Sequence, residues 1–158
     1  MEPSQQIADR IDYPMWVVTT AAEGERSGCV VGFLTQCSID PVRWLVCISD
    51  ANHTASVAAR VSTVVVHLLR AGDKDVARRF GEETGDEVDK LDGLACRDGP
   101  DGAPVIDGLD WFAGRVLARH DLGDHTGYLV EPIDGSCVRD APPLGFQQVR
   151  DLDPGHAA

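Results

Sequence analysis

The sequence predicts a mainly β protein, an antiparallel barrel of six short strands with a few short helices at its periphery. Three observations lead there. Runs rich in β-branched and apolar residues are short, as strands are. Clusters of Gly, Pro, Asn and Asp punctuate them. No strand–helix alternation runs along the chain, and a doubly wound parallel sheet would need one.

Residues 16–20, Trp-Val-Val-Thr-Thr, open the series, and the turn Glu23-Gly24-Glu25 joins them to residues 29–33 as a hairpin. The apolar run 44–49, preceded by Asp40-Pro41, is the third strand. Asn52 is a cap signal for a helix over 54–60. Residues 62–69 form the fourth strand, and Asp73 caps a second helix over 73–80. The fifth and sixth strands are 111–119 and 128–133. Residues 82–110 hold ten acids and two bases and are rich in Gly and Pro, so they are expected as a long solvated excursion. The organisation is an N-terminal arm (1–10), one domain (11–150) and a C-terminal tail (151–158).

Composition narrows the function. Hydrophobic residues make up 43% and charged residues 25%, ordinary for a globular chain. The longest apolar runs fall far short of a membrane span. A formal net charge of −12 argues against nucleic acid and against an acidic membrane surface, both of which need clustered cations. No basic patch leads into an apolar stretch at the N-terminus, which gives a cytoplasmic expectation. Five cysteines without C-x-x-C spacing predict reduced, mostly buried thiols and neither a disulfide framework nor a zinc site. The five histidines lack metal-ligand spacing, and no phosphate-loop, dinucleotide, zinc-protease or nucleophile-elbow motif occurs.

Two polar clusters remain. Thr35-Gln36-Cys37-Ser38 and Ser49-Asp50-Ala51-Asn52-His53-Thr54 sit at strand ends, the second opening a helix. They read either as turn and cap residues or as a loop presenting helix-start N–H groups to a phosphate. Gly123-Asp124-His125 reads either as an exposed turn or as an imidazole beside a ligand, its tautomer fixed by Asp124. His67, inside an apolar strand, is expected to be a satisfied core or interface histidine.

In order along the chain, Val17-Val18-Thr19-Thr20, Gly32-Phe33-Leu34-Thr35-Gln36-Cys37-Ser38-Ile39-Asp40-Pro41, Asn52-His53-Thr54 and Val66-His67-Leu68-Leu69 resemble the flavin reductase family. The segment from Phe80 to Lys90, Gly123-Asp124-His125 and Pro143-Leu144-Gly145-Phe146 continue the likeness. The resemblance implies a six-stranded, Greek-key split β-barrel that pairs into a homodimer with flavin near the subunit interface. It implies FMN or FAD as cofactor, NADH or NADPH as co-substrate, and hydride transfer to flavin N5, with reduced flavin passed on to a separate oxygenase. A flavin-binding or electron-transfer protein without turnover of free flavin is the alternative. Carried over by position, Val31, Gly32, Phe33, Leu34 and Thr35 lie along the isoalloxazine, with Ser38 supporting them. Ser49, Asn52, His53 and Thr54 face the ribityl chain and phosphate. Phe80 packs on the flavin, Lys90 offers a cation, and His125 stands where the nicotinamide meets the flavin.

Overall fold

The computed structural model of the protein describes residues 2–82 and 90–151. Its elements are α1 (Pro3–Arg10), β1 (Trp16–Ala22), β2 (Glu25–Val31), β3 (Leu34–Ile39), β4 (Val42–Ser49), α2 (His53–Ala58), β5 (Thr63–Leu68), α3 (Lys74–Glu82), β6 (Cys96–Asp98), β7 (Pro104–Ile106), β8 (Asp110–Asp121) and β9 (His125–Ser136). Single 3₁₀ turns lie at Pro100–Gly102, between β6 and β7, and at Phe146–Gln148, after β9.

The six-stranded barrel is corrected in two respects. The main sheet has seven strands in the order β2-β1-β5-β8-β9-β4-β3, and β6 and β7 form a separate two-stranded sheet. The order also has two ends, so no ladder joins β2 to β3 and the barrel is not closed. The sheet instead curls, because residues from both ends share one interior: Cys29 and Val31 of β2 pack with Leu34 of β3, Val46 and Ile48 of β4, and Val18, Val64 and Val130. The additional strand, β3, buries only Leu34 and turns its polar residues outward, which hides it from an apolar-pattern search.

β1 and β5 are buried on both faces, and this explains their unbroken apolar runs. Trp16 and Val18 face the curled interior, while Met15 and Val17 face an outer layer with Leu69, Ala77 and Phe80. The β1–β2 hairpin turns on Glu23 and Gly24, both at positive φ (54° and 82°), the geometry a two-residue hairpin loop demands.

Residues 82–110 are not the solvated excursion expected. Within their described part, Leu91, Ala103, Val105 and Ile106 are buried, the last three covering the outside of β1, β5 and β8. Leu94 and Leu109 pack part-buried beside them, while acids and glycines occupy exposed positions such as Asp92, Gly93, Asp107 and Gly108. Residues 83–89, within both the acidic segment and the Phe80-to-Lys90 likeness, lie outside the described residues, as do 152–158 of the tail.

His67 is the satisfied core histidine anticipated. Its Nδ1–H donates to the Val17 carbonyl (3.0 Å), and its Nε2 accepts from the Ile106 N–H (3.0 Å), tying β7 to the sheet. Burial pushes its pKa down to about 4. All five cysteines are free, as anticipated, but only Cys29 is buried and Cys37 and Cys137 are exposed. Among the described residues no helix is long and apolar enough to cross a membrane.

Candidate functional site

The chain passes from β2 to β3 through only Gly32 and Phe33, which bridge the two free ends of the sheet. The Phe33 carbonyl accepts from the Cys47 N–H (2.9 Å), pinning that link to β4. Beside it opens a cavity of about 310 Å³, at the small end of ligand pockets. Met15, Val30, Val31 and Phe146 supply apolar wall, and Ser49, Asn52 and His125 supply polar groups. A second cavity of about 540 Å³ lies along Leu34, Thr35, Gln36, Trp44 and Leu45. The two share Tyr13, Gly32, Phe33 and Cys47 as common wall.

Four rings span this region. Tyr13 stacks on Phe146 at 4.8 Å between centroids, with planes 14° apart. Phe33 meets Tyr13 at 6.1 Å and His125 at 5.2 Å, tilted in both cases. Gly32 is required by this wall, since a Cβ there would lie 2.6 Å from Tyr13 Cε2. The absent side chain therefore makes room for a tyrosine, which explains the glycine without a ligand.

His125 opens β9 directly opposite Ser49 of β4, so strand register brings these polar residues together. Its Nδ1 is 2.7 Å from Asp124 Oδ1, so Nδ1–H donates to that carboxylate and, in the neutral ring, Nε2 is the acceptor. Asn52 caps α2, its Oδ1 accepting from the Thr54 N–H (2.9 Å), and its Nδ2 donates to no described residue. That capping bond occupies an N–H expected to face phosphate. Cys29 borders the cavity as a neutral thiol, its pKa pushed up to about 11 by burial.

Of the residues singled out from sequence, Val31, Gly32, Phe33, Ser49, Asn52 and His125 converge on the first cavity, and Leu34 and Thr35 line the second. Ser38 sits further along β3, its carbonyl accepting from Gln36 Nε2 (3.1 Å). Thr54 is buried against Ser27 (2.8 Å), and His53 pairs with Glu25 (3.3 Å). Phe80 and Lys90 are not brought to the cavity. Phe80 fills the outer core, and the buried Lys90 ammonium donates to the Phe80 carbonyl (2.9 Å). Tyr13, Met15 and Phe146 are not marked as site residues by the sequence: Met15 reads as the start of the β1 apolar run, and Tyr13 and Phe146 are aromatic residues in loops that only long-range contacts bring together.

The slot has apolar walls, flanking rings and a polar end, a lining whose chemistry suits a flat heterocycle with a hydrophilic tail. The chain belongs to the flavin reductase like domain family, which it matches over residues 8–153. It is 25% identical over 140 residues to the ferric-chelate reductase (NAD(P)H) of Archaeoglobus fulgidus, covering 87% of this chain and 83% of that protein. It is 30% identical over 123 residues to the FMN reductase (NADH) RutF of Methylorubrum extorquens, but that match takes in 77% of this chain and only 59% of RutF. Among solved structures, a flavin reductase domain protein from Arthrobacter superposes with a TM-score of 0.83 at 18% identity, over 92% of this chain and 90% of that one. The NADH:FAD oxidoreductase SgcE6 of Streptomyces globisporus gives 0.80 at 24% identity with the same coverage. Nitrilotriacetate monooxygenase component B from Mycobacterium thermoresistibile also gives 0.80, at 25% identity over 90% and 80% of the two chains.

Proposed function

We propose that this chain is an NAD(P)H-dependent flavin reductase that takes FMN, or FAD, into the cavity at the open seam of its sheet. The observation behind this reading is the convergence there of residues 31–33, Ser49, Asn52 and His125, which lie far apart in sequence. The residues fit the cofactor: Val30, Val31, Met15 and Phe146 suit the faces of a planar ring, and Ser49 with the uncommitted Asn52 Nδ2 suits a polyhydroxyl tail. When bound, the flavin supplies a ring nitrogen, N5, that accepts hydride from the nicotinamide C4 and so stores two electrons for an acceptor.

The chain's own work is positional. Its walls exclude water and hold the rings in register for transfer. Asp124 keeps the His125 proton on Nδ1, so Nε2 accepts a hydrogen bond from the nicotinamide carboxamide and orients it. The named activities of the reductase relatives favour this assignment, and the monooxygenase component neighbour favours an oxygenase as recipient of reduced flavin. Exposed apolar residues Ile39, Val42, Leu117 and Ile133 on four strands favour pairing into a homodimer. Five free thiols favour a reducing, cytoplasmic location.

The test is to purify the protein, record its visible spectrum, and follow NADH and NADPH oxidation with FMN and FAD in turn. Flavin-dependent consumption of the reduced nucleotide is expected. A flavin held without exchange and without nucleotide consumption would establish the electron-transfer alternative. No uptake of flavin in titration would overturn both.

A further inference from the structure

Phe33 is the exception to the packing around it. It is 55% exposed although it stands at the centre of the site, in the wall shared by the two cavities. Its ring contacts are tilted, at 5.2 Å from His125 and 6.1 Å from Tyr13, and neither is the close stacking seen between Tyr13 and Phe146. Its backbone is fixed by contrast: the Phe33 carbonyl accepts from Cys47, and the Leu34 N–H reaches the Gly32 carbonyl (3.2 Å). The preceding residue has no side chain, and the following one, Leu34, is buried. A pinned pivot, a loosely held ring and empty space on both sides are the elements of a side chain that moves between two places.

We propose that Phe33 is a swinging partition whose ring occupies the place beside His125 that the nicotinamide ring takes during turnover. On nicotinamide binding the ring turns toward the second cavity, along Thr35, Gln36 and Trp44, where about 540 Å³ is open to receive it. The inference rests on the flavin reductase reading and adds a residue that sets access of the second substrate. Because the resting ring competes with the nicotinamide, apparent affinity is reduced by the fraction of molecules in which the place is open.

The experiment uses the full chain carrying Phe33→Ala or Phe33→Trp. FMN affinity is read from quenching of flavin fluorescence, and KM and kcat for NADH are read at saturating FMN. Removing the competing ring lowers KM for NADH, about three- to tenfold for an open fraction of roughly 10–30%. A larger ring raises it. Phe33 also borders the flavin cavity, so KM is read with FMN saturating for each variant, which separates any change in the Kd for FMN from the shift in KM. Opposite shifts of KM in the two variants are the signature of competition, since a ring needed only for packing would raise KM in both. A rise in KM for Phe33→Ala, or an unchanged KM in either variant, would overturn the partition. Failure of the wild-type protein to quench FMN fluorescence would instead overturn the flavin reductase reading itself.

Discussion

His67 gives the sharpest test of how the outer layer is fastened. It is fully buried, and both ring nitrogens are committed, Nδ1–H to Val17 and Nε2 to Ile106. That pairing needs the neutral ring, since an imidazolium would present a second N–H to the Ile106 N–H. Burial moves the pKa from 6.5 to about 4, partly opposed by the bond to Val17. Below pH 6.5 the unfolded chain takes up a proton that the folded chain refuses, so stability falls with pH until the folded group also titrates near 4. The whole difference corresponds to about 3 kcal/mol, of which about 2 kcal/mol is already lost at pH 5. Urea unfolding followed by tryptophan fluorescence at pH 7.5 and 5.0 measures it. His67→Gln is expected to be less stable at pH 7.5 by about 1–3 kcal/mol, because an amide reproduces the two bonds imperfectly. Its further loss between the two pH values should be smaller than that of wild type by about 2 kcal/mol. Asp110, held below the usual carboxylate range because hydrogen bonds from Val138, Arg139 and Arg70 outweigh its burial, also loses stabilisation as pH falls. It is present in both proteins and cancels in the comparison. Equal losses in wild type and His67→Gln would refute the neutral-pin argument.

Three further outcomes are expected. His125→Ala should lower kcat/KM for NAD(P)H about 10- to 100-fold, the scale of a misoriented reacting ring, while changing flavin affinity much less; unchanged turnover in a steady-state assay would remove His125 from the site. Gly32→Ala should cost about 1–3 kcal/mol in chemical denaturation, because its Cβ would meet Tyr13 Cε2 at 2.6 Å. Adding Tyr13→Ala should recover at least about 1 kcal/mol of that loss in a double-mutant cycle, and strict additivity would show the two do not press on each other. Arg70→Met leaves the Asp110 carboxylate buried without its cation at 2.9 Å and should cost about 3 kcal/mol, visible as a lowered Tm.

Central strands were legible because burial on both faces writes a continuous apolar run, as in Val64-Val65-Val66. The hairpin turn and the Asn52 cap were legible because they are local chemistry, confined to a few consecutive residues. What could not be read is long-range or edge-like. β3 pairs on one side only and faces Thr35, Gln36 and Cys37 outward, so nothing apolar marks it. Tyr13 and Phe146 meet because Pro14 bridges Gly145 across the whole length of the chain, a contact with no local signal. Phe80 and Lys90 have the right chemistry for a cofactor, but the fold spends it internally, ring on Gly28 and ammonium on a carbonyl.

The open seam and the site are one feature. Pairing β2 with β3 would remove the last edges of the sheet and bury their backbone groups, the usual advantage of a closed barrel. It would also bring the strands side by side at about 4.8 Å and leave no slot between Val31 and Cys47. At Gly32 and Phe33 the chain runs across the gap instead of folding back as a hairpin, and the Phe33 carbonyl accepts from the Cys47 N–H of β4. Beyond the link, Val30 and Val31 of β2 and Cys47 and Ser49 of β4 all line the cavity, and strand register sets Ser49 opposite His125 at its polar side. The open seam leaves a slot where a closed barrel would have none, so on the proposed reading a flavin that fills it should raise Tm in a thermal melt, and an unchanged Tm with saturating flavin would count against that site.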